Sequence, residues 1–332
     1  MKRNPAIKLL GQLAVVFVVL LGVLVWGWMA YQPNQPKEDN EYIYALDYKL
    51  LPEGATPENK QLYYGAALFE QTAQLLGEAS EEKLVGNQLN CSSCHLDGGT
   101  KPYAIPLIGV HLRFPQYRGR EDTMGTLEER INGCFERSMN GKKLSGSSPA
   151  MQALVRYITW LGRYVEPGET LTATGLKPIN LPNRAVDLNH GQQVYKKVCV
   201  VCHGNQGEGQ LGEDGTYEYP PLWGTMAYNN GAGMTRVITA AQFIKYNMPY
   251  GINYKTPQLT DAEAYDVAGY INQQSRPQKK NLAADFPNRL KKPVSTPYPP
   301  YADSFTQTQH ALGPFQPIME YYAKVHQITK KK

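Results

Sequence analysis

The sequence predicts a mainly α chain folded as two tandem copies of one small helical unit. Three observations predict it. Cys91-Ser92-Ser93-Cys94-His95 and Cys199-Val200-Val201-Cys202-His203 repeat one Cys-x-x-Cys-His pattern. Each copy follows a helical stretch that carries Gly and then an aromatic residue four later, Gly65/Phe69 and Gly191/Tyr195. Each is followed by a Gly-rich loop (Gly98-Gly99; Gly204, Gly207, Gly209) and then a closing amphipathic helix. Met151, Leu154, Ile158 and Leu161 recur at helical spacing in the first copy, and Ala264, Val267, Ala268 and Ile271 in the second. Thr260-Asp261-Ala262-Glu263 supplies a capping start to the latter.

Cys-x-x-Cys-His is the spacing of c-type haem attachment. Two thiols form thioethers to the vinyl groups, and the adjacent imidazole becomes an axial iron ligand. Two matches predict two covalently bound haem c groups, one on Cys91, Cys94 and His95, the other on Cys199, Cys202 and His203. The repeat is then the arrangement of a cytochrome c fold, with terminal helices crossing at the Gly-aromatic contact and haem wrapped between. The stretch from Thr72 to Asn90 is longer than its counterpart and is expected to shape the first haem's edge.

Composition adds boundaries and exclusions. The 332 residues are 42% hydrophobic and 19% charged, an ordinary globular balance, with 24 prolines and 23 tyrosines. A net charge of +5 is too weak to imply nucleic acid, and no basic-aromatic groove pattern accompanies it. It suits small anionic substrates or an acidic protein partner. From Leu9 to Ala30 no residue is charged, Lys2, Arg3 and Lys8 precede the run, and Trp26, Trp28 and Tyr31 mark its far end. That is long enough to span a bilayer, with the N-terminus in the cytoplasm and the remainder exported. A cleaved signal segment is the alternative, although Trp28-Met29-Ala30 makes a poor cleavage site.

The expected organisation is therefore an anchor or signal segment at 1–31, a polar tether at 32–55, and a first cytochrome c domain at 56–171 with the catalytic haem. A linker at 172–185 and a second, electron-transfer domain at 186–276 follow. A Pro-rich strap at 277–332 is expected to pack over both through Tyr298, Tyr301, Phe305, Phe315 and Tyr321. The expected location is the periplasmic side of the bacterial inner membrane.

Each iron needs a second axial group or an open position. In the second domain the candidates are Met226, Met234 and Met248. Met248 stands in Asn247-Met248-Pro249-Tyr250-Gly251, shortly before the closing helix, where small cytochromes c carry their thioether ligand. A thioether stabilises Fe(II) and raises the potential. The first domain has no Met-Pro there. It has Cys134, 39 residues after His95, as Met248 lies 45 after His203. Cys134 is the fifth cysteine and has no partner in the chain. A thiolate on iron, its proton loss assisted by Arg130 and Arg137, is the sharper reading. A buried inert thiol, an intermolecular disulfide, or distal ligation by Met139 or His111 are the alternatives. Thiolate ligation lowers the first potential, so electrons would run downhill to a Met-ligated second haem.

At these residues the chain resembles the dihaem thiosulfate dehydrogenases, also called tetrathionate synthases or tetrathionate reductases. The likeness rests on both haem motifs and on the run from Arg130 to Gly141. It also rests on Asn247-Met248-Pro249 and on Gly313-Pro314-Phe315-Gln316-Pro317-Ile318. It covers roughly Thr56 to Ile318. It implies His95/Cys134 ligation of the first iron and His203/Met248 ligation of the second. It also implies coupling of two thiosulfates to tetrathionate with release of two electrons, or the reverse, and a redox partner that is a soluble cytochrome or a membrane respiratory complex. Some members carry Lys just before the Met and exchange ligands with redox state; here the position is Asn247. Arg113, Arg118, Arg120, Arg130, Arg137, Lys142 and Lys143 cluster in sequence around Cys134, interleaved with Glu121, Asp122, Glu128, Glu129 and Glu136. Some are expected to neutralise the dianions; otherwise they are solvated surface. The expected catalytic set is Cys134 as sulfur nucleophile, Arg120 and Arg130 as clamps, and Ser138 as hydrogen-bond donor. The competing function is a membrane-anchored dihaem electron-transfer subunit of a respiratory complex, without sulfur chemistry.

Overall fold

A helix pair recurs twice and frames each Cys-x-x-Cys-His motif. The computed structural model describes residues 17–23, 25, 26, 49, 51–213 and 215–330. The chain divides into two compact units, Met1–Asn40 with Glu166–Thr172, and Glu41–Val165 with Ala173–Lys332. In the first unit, residues 17–23, 25 and 26 are helical, and Phe17, Val18 and Trp26 are exposed. The rest of the expected Leu9–Ala30 anchor lies outside the described residues. Among the described residues, no helix is long and apolar enough to cross a membrane. The second unit holds both haem motifs.

Helix α1 (Pro57–Glu70) starts where Thr56 accepts a hydrogen bond from the Asn59 amide and Pro57 takes a first-turn position. A capping box of Thr126 and Glu129 starts α2 (Leu127–Arg137), the helix that carries Cys134. Ser148 caps α3 (Pro149–Leu161), whose Met151, Leu154, Tyr157, Ile158 and Leu161 are buried. A short hairpin pairs β1 (Gln116–Arg118) antiparallel with β2 (Thr123–Gly125) just before α2.

In the second half, α4 (Leu188–Val194) continues through a π-helical turn, Tyr195–Cys199, into the haem motif. A second hairpin, β3 (Gln210–Leu211) with β4 (Tyr217–Tyr219), follows it. Helix α5 (Val237–Asn247) ends at Met248, and α6 (Asp261–Asn272) begins with the expected Thr260/Glu263 capping box.

The expected crossings are present in both halves. A Cβ on Gly65 would lie 2.1 Å from the Ala153 carbonyl oxygen, and one on Gly191 would lie 2.2 Å from that of Asp266. Only hydrogen at these positions lets α1 meet α3, and α4 meet α6, at backbone distance. The aromatic residues then close each joint from the side. Tyr157 donates to the Gly98 carbonyl at 2.8 Å, and Tyr195 to that of Gly204 at 2.8 Å.

The tail differs from an extended strap. It runs irregularly to about residue 306, then forms α7 (Gln307–Leu312) and α8 (Gln316–His326). Pro317 sits in the first turn of α8, where a missing N–H costs nothing. Phe315, Ile318 and Tyr322 bury themselves with Val237, Ile238 and Tyr265 of α5 and α6. The irregular part reaches the other half, where the Phe286 amide donates to the Arg120 carbonyl at 2.7 Å.

The crossing predicts a stability test. Gly191→Ala should lower the unfolding free energy by about 2–3 kcal/mol, because the methyl group must push two helices apart. Gly146→Ala, with nothing within 4 Å of the added carbon, should be near neutral. Denaturant midpoints measure both. Equal midpoints for the two variants would contradict the close crossing.

Candidate active site

Each motif histidine is fixed in the same way. His95 donates Nδ1–H to the Ile105 carbonyl at 2.7 Å, and His203 donates to that of Pro220 at 2.9 Å. A carbonyl only accepts, so each ring must carry its proton on Nδ1 and leave Nε2 free as a ligand. Burial also holds His203 below the usual histidine pKa, in the neutral form that binds metal. None of the five cysteines is joined to another by a disulfide. Burial pushes Cys91, Cys94 and Cys199 up to about 12. These groups fit covalent haem: paired unbridged thiols, with an oriented imidazole next in sequence.

In the second domain, Cys199, Cys202, His203 and Met248 line one cavity of about 460 Å³, together with Met234. Met226 is exposed instead. The wall of this cavity includes Cys94 and Leu96 of the first motif. The two haem sites are therefore neighbours. Asn247 is fully buried, and its amide donates to the carbonyls of Phe243 and Tyr103, both at 3.1 Å. It therefore pins the Met248 loop to the first domain.

The first domain brings together a different set. Arg130 donates from Nη1 to the Cys134 sulfur at 3.0 Å, one helical turn away on α2. The His95 ring faces the same sulfur. Burial would push the Cys134 thiol up, but Arg130 and His95 outweigh it and bring the pKa down to about 6. Arg130 and His95 thus favour the Cys134 thiolate at neutral pH. Met139 is buried in the core with Phe135 and Leu144, away from any role as the distal ligand.

The remaining sequence-expected residues separate. Arg120 is engaged: its Nη1 bonds Asp285 at 2.5 Å, the Tyr298 hydroxyl at 2.8 Å and the Gly231 carbonyl at 3.2 Å. Arg137 is buried and pairs with the other Asp285 oxygen at 2.7 Å. Asp285, from the tail, therefore joins two arginines of the first domain, and they hold its carboxyl below the usual range against the effect of burial. Ser138 ends α2 one turn after Cys134, with its amide bonded to the Cys134 carbonyl. Arg113 is exposed at the surface. Two residues escaped the sequence reading. Asp285 looked like one acid in a Pro-rich tail, and Arg236 lies about 100 residues beyond the Arg130 run. Arg236 sits within electrostatic range of Arg120 and Arg130.

A family described as SoxA/TsdA, cytochrome c domain, matches residues 79–165, and one described as Cytochrome c matches residues 188–275. A thiosulfate dehydrogenase of Psychrobacter arcticus is 40% identical over 242 residues, covering 72% of both chains. One of Allochromatium vinosum is 42% identical over 232 residues, 69% of this chain and 82% of that one. The solved thiosulfate dehydrogenase (TsdBA) of Marichromatium purpuratum, in its as-isolated form, superposes with a TM-score of 0.64 at 37% identity. The match covers 76% of this chain and 51% of that longer one. Two cytochrome c domains bind haem c covalently here, and the chain belongs to the thiosulfate dehydrogenase family of enzymes.

Proposed function

We propose that the chain couples two thiosulfate dianions to tetrathionate with release of two electrons, or catalyses the reverse, with Cys134 as the sulfur nucleophile. The observation that carries this reading is the Arg130–Cys134 contact at 3.0 Å, at a sulfur that also interacts with His95. A relay of electrons gains little from a reactive sulfur beside a guanidinium. Sulfur chemistry gains a nucleophile.

The steps balance at Cys134. The thiolate bonds the outer sulfur of one thiosulfate, giving a protein S-thiosulfonate and two electrons. A second thiosulfate then attacks that sulfane sulfur. Tetrathionate leaves and the thiolate returns. No proton is consumed, which suits a site built from guanidinium groups rather than acids. Arg130 stabilises the thiolate before attack and lies next to the incoming dianion. We assign Ser138, one turn on, as the donor to a sulfonate oxygen. Haem, when bound, would take up the electrons one at a time; His95 and Cys134 would hold one group, and His203 and Met248 the other. Arg120 serves this site indirectly, as a positioning residue locked by Asp285.

The chain is exported, because c-type haem is attached outside the cytoplasm, and a soluble cytochrome or a membrane complex takes up the electrons. We read the uncharged Leu9–Ala30 run as an anchor at the outer face of the inner membrane. N-terminal sequencing of mature protein from membranes should find residues before Tyr31; a soluble form starting near Gln32 would make the run a signal segment.

Cys134→Gly should retain both haems and the fold, yet oxidise thiosulfate below about one thousandth of the wild-type rate. Turnover close to wild type would leave an electron-transfer subunit as the better reading. In Met248→Gly the near-infrared sulfur-to-iron band of the oxidised protein should vanish, and one potential should fall. An unchanged spectrum would transfer the ligand role to Met234, which lines the same cavity.

A further inference from the structure

Five arginines lie around the Cys134 end of the first domain, and their charges are not equally balanced. Arg118 pairs with Glu121 at 2.9 Å. Arg120 and Arg137 share Asp285. Arg130 is matched by the Cys134 thiolate. Arg236 makes no ion pair among the described residues. Its Nε donates to the Gly233 carbonyl at 3.3 Å, and its guanidinium also lies against Gly233, whose added Cβ would stand 3.4 Å from one terminal nitrogen.

Its setting makes this imbalance costly. Arg236 is the residue that opens α5, with no side-chain cap. The positive end of a helix dipole repels a cation placed there. Arg120 and Arg130 repel it further, and burial brings its pKa down to about 10. A cation without an ion pair, beside a helix N-terminus and two further arginines, is stabilised when an anion joins it. The loop before α5 holds Arg236 in register with the first domain. The Asn229 amide donates to the Arg137 carbonyl at 3.1 Å, its side chain donates to the Glu136 carbonyl at 2.9 Å, and the Gly231 carbonyl accepts from Arg120. Tyr228 and Ala232 bury themselves in the same core as Phe135.

We infer that Arg236 of the second domain binds the sulfonate end of the thiosulfate or tetrathionate dianion that reacts at Cys134. The inference rests on the sulfur-coupling reading above and adds a residue to it. Two dianions must approach one sulfur. Arg130 is committed to the thiolate and Arg120 to Asp285. Of these five arginines, Arg236 is the one without an ion pair among the described residues, and it can offset the charge of the substrate. The active site is then composite: the first domain supplies the nucleophile and the second supplies a clamp.

The test is steady-state thiosulfate oxidation by the full-length dihaem protein, with ferricyanide as acceptor. Arg236→Ala should lower kcat/KM roughly 10- to 100-fold, the range for losing a hydrogen bond to a charged group. Most of the loss should appear in KM. Arg236→Lys should recover part of it. Arg113→Ala removes an equal charge from an exposed site and should leave KM unchanged. Both haem potentials should stay at wild-type values in every variant, a result that a merely structural role for Arg236 would not give. Should the alanine variant lose its haem spectrum, Arg236→Gln keeps the stem and carries the same test. Wild-type KM in Arg236→Ala or Arg236→Gln, with the parent protein active, would overturn this assignment alone. A parent protein that turns over neither thiosulfate nor tetrathionate would overturn the coupling reading and this assignment with it.

Discussion

The arrangement turns on one contact, a guanidinium held 3.0 Å from a cysteine sulfur. A thiol buried in protein resists ionisation, as Cys91, Cys94 and Cys199, each pushed up to about 12, illustrate. Cys134 ionises because Arg130 stands one helical turn before it and His95 faces it. That geometry requires α2 to be a regular helix from its Thr126/Glu129 cap onward, since a break would part positions four residues apart. It also requires His95 to be held from behind by Ile105.

Those requirements extend through the molecule. The arginines that crowd α2 would repel one another without Asp285, which arrives from the tail and joins Arg120 to Arg137. The tail is held in turn by Phe315, Ile318 and Tyr322 against α5 and α6. Helix α5 runs from Arg236 at the arginine cluster to Met248 at the second haem cavity, so one rigid element touches both sites. Asn247 fixes its far end to Tyr103 of the first domain. A lysine at that position could reach for iron; a buried amide bonded to two carbonyls does not leave its place. Asn247 at this position therefore favours a fixed Met248.

Local features were legible in the sequence, because local chemistry dictates them. The Cys-x-x-Cys-His runs and the Thr260/Glu263 capping box depend on residues within a few positions, and the Gly-aromatic spacing marked Gly65 and Gly191 although their partners Ala153 and Asp266 are distant. Cys134 stood out as the cysteine left over. The network of arginines did not declare itself. Sequence proximity placed Arg120 among the clamps, but its partner Asp285 is 165 residues away. Arg236 joined the cluster only through the packing of the Tyr228–Ala232 loop. The tail was read as extended because proline is rare inside helices, yet Pro317 occupies a first turn, where proline is tolerated.

The central claim is that the Cys134 sulfur itself forms the bond to substrate. Peptide mass analysis of reduced protein quenched with tetrathionate tests it most directly. The account predicts an S-thiosulfonate on the peptide that contains Cys134 and none on the haem-attachment peptides. Continued turnover with the Cys134 peptide unmodified at every quench time would contradict it.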